Sequence, residues 1–268
     1  MAARTPQGTA YDLTGPASGP AVVLIHGLGL NRAVWQWLAP DLARHYRVIS
    51  YDLLGHGHST APPPHPTLRT LSDQLKEMLG HLGIDRAAIV GFSLGGMIAR
   101  RFAQDHPTSV TALGILHSPH TRTPDAQAAI LARVLQAKAE GPNATVEAAL
   151  VRWFSDAYRA ANPGMMDLVR AWVLANDPAL YPDLYRILAE GIDEIVAPNP
   201  PITAPALVIT GDEDFGNGPE MTHAIAAEIA GAEALILPGL RHMALAEDPE
   251  AVNAPLIAFL DRVLRAAS

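Results

Sequence analysis

Ser93 lies in Gly91-Phe92-Ser93-Leu94-Gly95, a G-x-S-x-G pattern. A serine hydroxyl is a weak nucleophile and attacks a carbonyl only when a base takes its proton. The chain has 11 histidines, and His242 stands out by position. It follows the last strand-like run, in Pro238-Gly239-Leu240-Arg241-His242-Met243, and precedes the last helical stretch. His45, His65, His81, His106 and His223 read as surface residues. A basic imidazole is oriented in turn by a carboxylate. Gly211-Asp212-Glu213-Asp214, after the preceding strand-like run, offers three candidates. Asp248, just before Pro249, reads instead as a helix cap.

The elements that must position these groups are legible. Continuous apolar runs at residues 21–25, 47–51, 87–90, 110–116, 206–210 and 234–237, with a weaker one at 9–13, predict strands buried on both faces. Between them Leu68, Leu71, Leu75, Met78, Leu79 and Leu82 recur at helical spacing, with Gly83 as a C-terminal cap. Leu94, Met97, Ile98 and Phe102 mark a second helix, Pro219 opens another, and the last spans about 249–264 with Pro255 expected to kink it. This alternation predicts a mostly parallel, doubly wound α/β sheet with helices on both faces. Ser93 then falls at a strand-to-helix turn, the setting of a nucleophile elbow. Gly91 and Gly95 relieve the crowding there, and the following helix N-terminus faces any forming negative charge. Residues 119–204 break the rhythm. They hold no convincing strand and read as short helices punctuated by Pro142, Pro163, Pro178 and Pro182.

Composition narrows the function. The 268 residues carry a formal net charge of -8, which disfavours nucleic acid and anionic membrane surfaces as partners. With 0 cysteines, disulfides, thiolate metal sites and cysteine nucleophiles are excluded. No apolar run is long enough to span a bilayer, and residues 1–20 lack a signal-peptide pattern. The expectation is a cytoplasmic protein, either a monomer or a homo-oligomer.

With these motifs in order, the chain resembles the α/β-hydrolase superfamily over nearly its whole length. The residues that carry the resemblance are His26-Gly27 after the first strong strand, Asp52-Leu53-Leu54-Gly55-His56-Gly57-His58-Ser59 as a D-x-x-G-x-G-x-S loop, the elbow, and Gly211-x-x-Asp214 before His242. The resemblance selects Asp214 as the acid. It also implies an oxyanion hole from the backbone N–H groups of Leu28 and Leu94. It implies a core of residues 1–118 and 205–268, with 119–204 as a helical cap inserted after the sixth strand. Trp35, Phe92, Trp153, Met165, Trp172 and Met243 are candidates to line the substrate pocket. Phe154, Met166, Tyr181 and Tyr185 are further aromatic and methionine side chains that would make it apolar.

The chain looks closest to enol-lactonase-like enzymes, carboxylesterases and cofactor-free haloperoxidase-like proteins. Serine at the elbow sets it apart from the dehalogenases and epoxide hydrolases that use aspartate there. The expected activity is hydrolysis of a small-molecule carboxylic ester or lactone through an acyl-enzyme, with no metal or organic cofactor. C–C bond hydrolysis or perhydrolase and haloperoxidase chemistry on the same triad is the alternative. A non-catalytic ligand-binding role is a third reading, disfavoured because all three triad positions are filled.

Overall fold

A computed structural model describes residues 3–265. The strands are β1 (Ala3–Arg4), β2 (Ala10–Thr14), β3 (Ala21–Ile25), β4 (Arg47–Tyr51), β5 (Ala87–Phe92), β6 (Val110–Leu116), β7 (Ala206–Gly211) and β8 (Glu233–Leu237). They form one sheet in the order β1-β2-β4-β3-β5-β6-β7-β8. Pairing is antiparallel from β1 to β2 and from β2 to β4, and parallel everywhere else. Every expected strand is present. The two-residue β1 is an addition, too short for a periodic signal.

Alternation along the central strands divides the core into two layers. Val23, Ile25, Ile89, Ile115 and Val208 face one side. There α2 (Leu68–His81), α3 (Leu94–Asp105) and α9 (Pro219–Ala227) supply Leu71, Leu75, Met97, Phe102 and Ile225. Val22, Leu24, Val90, Leu116 and Ile209 face the other, against Val252, Leu256, Phe259 and Leu260 of α11 (Pro249–Arg265). The short α1 (Ala39–Leu42) and α10 (Ala244–Glu247) complete that layer. Pro255 sits inside α11 without ending it, because burial of the flanking Val252 and Leu256 outweighs one missing hydrogen bond. Gly83, at φ 64°, ends α2, and Asp248 Oδ1 accepts from Ala251 N at 3.2 Å at the start of α11.

Between β6 and β7 lie α4 (Pro124–Glu140), α5 (Asn143–Trp153), α6 (Asp156–Ala161), α7 (Pro163–Leu174) and α8 (Tyr181–Glu190). Prolines open α4 and α7 at positions where a missing N–H matters least. Arg100, buried on α3, clasps both stems of this insertion. It donates to Pro119 O at 2.8 Å and to Ile195 O at 3.4 Å. Burial pushes its guanidinium down to about 10, with the nearby Glu228 opposing the shift. Among the described residues no helix is long and apolar enough to cross a membrane.

The glycines separate geometry from flexibility. A Cβ on Gly95 would lie 2.1 Å from the backbone oxygen of Ile25, whereas one on Gly80, within α2, would meet nothing within 4 Å. Gly95→Ala should therefore destabilise by about 1–3 kcal/mol or more, and Gly80→Ala should stabilise by roughly 0.5–1 kcal/mol. Chemical denaturation of both variants checks this; a neutral Gly95→Ala would refute the packing argument.

Candidate active site

The site is built where β5 ends. Ser93 adopts φ 56°, ψ −116°, a conformation that L residues rarely hold. It persists because its surroundings over-determine it. Ser93 N donates to Leu116 O at 2.8 Å, tying the turn to β6. A Cβ on Gly91 would lie 2.1 Å from Gly95 O, so only glycine permits the reversal. Leu94 is the first residue of α3, and its N–H has no partner within the helix.

Loops after β6, β7 and β8 converge beside the serine. His242 Nδ1 lies 2.7 Å from Asp214 Oδ2. His117, the residue after β6, brings its own Nδ1 to the same oxygen at 3.0 Å. Asp214 Oδ1 accepts from Gly216 N at 3.1 Å and Asn217 N at 3.0 Å. Burial would raise the Asp214 carboxyl, but the charge of His242 and hydrogen bonds from both histidines outweigh it, holding it well below the carboxylate range. His117 is fully buried, which lowers its pKa even though the hydrogen bond and charge of Asp214 oppose the shift. Since a carboxylate only accepts, both Nδ1 atoms are the donors. The other two carboxylates of the loop are engaged elsewhere. Asp212 accepts from Gly239 N at 2.7 Å, and Glu213 pairs with Arg241 at 3.4 Å. Donor atoms of His117, Asp214 and His242 lie within 4.8 Å of one another, near enough for a shared cation, although two of the separations are those of direct hydrogen bonds.

A second network shapes the loop after β3, which carries Leu28. His26 Nε2 accepts from Leu53 N at 3.0 Å, and its Nδ1 donates to Gly27 O at 2.8 Å. His56 Nε2 accepts from Gly29 N at 3.0 Å. Asp52 accepts from Arg32 N at 2.9 Å and His58 N at 2.8 Å, and its side chain also pairs with the Arg32 guanidinium. Ser59 Oγ donates to Asp52 O at 2.6 Å. The D-x-x-G-x-G-x-S loop therefore braces the segment beside Ser93. The N–H of Leu28 meets no acceptor among the described residues.

Ser93, His242 and Asp214 open onto one cavity of about 100 Å³. Gly27, Leu28, Phe92 and Asn217 form its floor, and Trp153, Tyr181, Tyr185 and Ile130 of the insertion form its roof. Phe92 and Trp153 flank the imidazole of His242 at centroid distances of 4.9 and 6.0 Å. Four pocket candidates lie elsewhere, which corrects the expectation for them. Trp35 is 1% exposed and packs into the α11 layer. Met243 is fully buried in that layer, its N–H on Trp153 O at 2.9 Å. Trp172 turns toward Trp37 at 6.4 Å, and Met165 packs against the same layer. Phe154 stacks on Tyr158 and Met166 is also off the cavity, while Tyr181 and Tyr185 do line it. Nor is the pocket purely apolar, because Arg122, Arg133 and Arg152 also line it.

Of the five histidines read as surface groups, four are exposed; His106 is half-buried against Phe102. Sequence reasoning missed His117 and the three arginines. A histidine directly after the strand beside the elbow strand was the available signal for His117. Which faces of α4 and α5 meet the cavity depends on packing, so Arg133 and Arg152 had none, and Arg122 sits in the loop before α4 without a periodic pattern.

The α/β-hydrolase-fold family matches residues 20–249, and the chain belongs to it. It is a hydrolase by that membership. The chain is 31% identical over 246 residues to (E)-2-((N-methylformamido)methylene)succinate hydrolase of Acinetobacter baylyi, covering 91% of each protein. The enol-lactonase of Burkholderia xenovorans LB400 superposes with a TM-score of 0.87 at 27% identity, over 94% of this chain and 96% of that one. A malate-bound thermophilic esterase from Thermogutta terrifontis gives a TM-score of 0.85 at 26% identity, over 95% of this chain and 93% of that one.

The buried imidazoles make stability pH-dependent. Burial, reinforced by His26, lowers His56 from 6.5 to about 3, and burial also lowers His26 and His117. The unfolded chain then binds more protons, so stability declines as pH falls from 6.5 toward about 3. Asp214, whose contribution is lost only below its ordinary 3.8, adds little to the upper part of that window. Urea midpoints should fall between about pH 7 and about pH 5, and His56→Gln should flatten the slope. An unaltered slope in that variant would contradict the assignment.

Proposed function

We propose that the protein hydrolyses a carboxylic ester or lactone, with Ser93 as nucleophile, His242 as general base and Asp214 as the acid that orients it. The observation that carries this is the 2.7 Å contact from His242 Nδ1 to Asp214 at the cavity that Ser93 enters. With Nδ1 held as donor, Nε2 is the basic nitrogen. It takes the Ser93 proton as Oγ attacks the carbonyl carbon. The Leu28 and Leu94 N–H groups receive the oxyanion, an interaction typically worth about 3–4 kcal/mol per donor in the transition state. Collapse of the tetrahedral intermediate expels the alcohol, protonated by His242. Water, deprotonated by the same imidazole, then frees the acid and restores Ser93. Asp214 stays ionised and stabilises the transient imidazolium.

In this reading residues 119–204 are the cap. They roof the site and select a small-molecule substrate. The relatives support hydrolytic chemistry on such compounds: one is named an enol-lactonase, one an esterase and one the hydrolase of a succinate derivative. The cytoplasmic expectation and the absence of a required cofactor belong to the same proposal.

Release of p-nitrophenol from short acyl esters tests it. Wild-type protein should turn the ester over, and Ser93→Ala should lose at least ~10³-fold in kcat while keeping its fold by circular dichroism. Undiminished turnover in Ser93→Ala would refute the nucleophile. A folded wild type inert on esters and lactones would refute the ester reading.

A further inference from the structure

The cavity's roof carries Arg122, Arg133 and Arg152. Asp214 is the one carboxylate among the lining residues, and His117, His242 and two backbone amides already engage it. None of the three arginines forms an ion pair among the described residues. Arg122 donates to the main-chain oxygens of Leu188 and Ala189 at 3.0 and 3.2 Å and to Gln127 Oε1 at 3.4 Å, all neutral acceptors. Arg133 uses its Nε on Tyr185 Oη at 3.1 Å, and its terminal nitrogens meet no acceptor among the described residues. Arg152 donates to no protein acceptor among the described residues. Burial and then the positive field of Arg133 push Arg122 down to about 10, and the same two causes lower Arg152. The positive charge of Arg133 thus opposes two desolvated guanidiniums, Arg122 and Arg152, and an anion among them would relieve that repulsion. The contrast with the whole chain, at -8, marks this as a local arrangement rather than a basic surface.

The geometry points to a carboxylate subsite: the substrate carries at least one free carboxylate, bound by Arg122, Arg133 and Arg152 while its ester or lactone carbonyl reaches Ser93. This rests on the proposed ester chemistry for the carbonyl half, but the anion half stands on the arginines alone. Guanidinium groups suit it because they pair with carboxylates through two parallel hydrogen bonds. The small cavity favours a compact acid, with the charge a few bonds from the scissile carbonyl.

Two measurements test it. The first compares hydrolysis of monomethyl succinate with that of methyl butyrate, its uncharged analogue with a methyl in place of the carboxylate, by proton release. The second follows succinate binding to Ser93→Ala protein by calorimetry, with inorganic phosphate as a competing probe. Wild type should favour the anionic ester at least ~10-fold in kcat/KM. Arg133→Gln and Arg152→Gln should each erase most of that preference and weaken succinate binding. The wild-type comparison decides the matter even if a variant fails to fold. Succinate binding without turnover of either ester would uphold the subsite and refute the ester reading. Equal turnover of both esters, with no succinate binding, would refute the subsite and leave the hydrolase intact. Tighter binding of phosphate than of succinate would overturn the assignment to carboxylates.

Discussion

A buried carboxylate is the constraint on which the site depends. Asp214 is almost wholly removed from water, and an unpaired charge there would be strongly destabilising. Both of its oxygens are satisfied, Oδ2 by His242 and His117 and Oδ1 by two consecutive backbone amides. Meeting this demand joins the ends of β6, β7 and β8 into one cluster. His117 is fixed in turn, its N–H on Ile209 O at 2.7 Å and its carbonyl accepting from Asn217 Nδ2 at 2.8 Å. Substituting one donor therefore disturbs three loops, and the imidazole facing the cavity inherits its orientation from a packed network rather than from one hydrogen bond.

Strain is concentrated on the opposite side, at Ser93. Its positive φ is held between a donated hydrogen bond to β6 and glycines that leave no room for side chains. Parallel pairing of β3, β5, β6 and β7 brings the carboxyl ends of these strands to one edge, so the loops bearing Leu28, Ser93, His117 and Asp214 emerge together. The insertion is fastened to that edge at several points. Arg241, beside His242, donates to Phe154 O at 2.9 Å and Val151 O at 3.1 Å, and Asn176 Nδ2 donates to Gly29 O at 2.9 Å. The insertion and the loops bearing Leu28 and His242 thus share hydrogen bonds, which ties the pocket's shape to the positions of Ser93, Asp214 and His242.

Much of this was legible in the residues. Strands buried on both faces read as unbroken apolar runs, and β6 matches its run from Val110 to Leu116. The elbow was legible because only glycine tolerates the approach of Gly95 to Ile25. Loop order brought His242 and the three carboxylates of residues 212–214 to one edge, since in a parallel sheet such loops emerge together, but only the family resemblance singled out Asp214 among them. His117 offered one signal, its place directly after the strand beside the elbow strand, but its contact with Asp214 depends on the register of β6 against β7, which no local pattern encodes. Trp35, Met165, Trp172 and Met243 were indistinguishable in sequence from pocket residues, because core and pocket walls recruit the same side chains. Arg133 and Arg152 escaped notice because the rotation of α4 and α5 about their axes is set by their packing on each other, on α7 and on α8, and Arg122 lies in the segment before α4, which has no periodicity to read.

The central claim is that Ser93 forms a covalent acyl intermediate, and intact-mass spectrometry of protein quenched during turnover of a slowly deacylating ester tests it most directly. The account predicts a mass gain equal to the acyl group, mapped by peptide fragmentation to Ser93. A catalytically active protein that never carries the acyl group, or carries it on another residue, would contradict it.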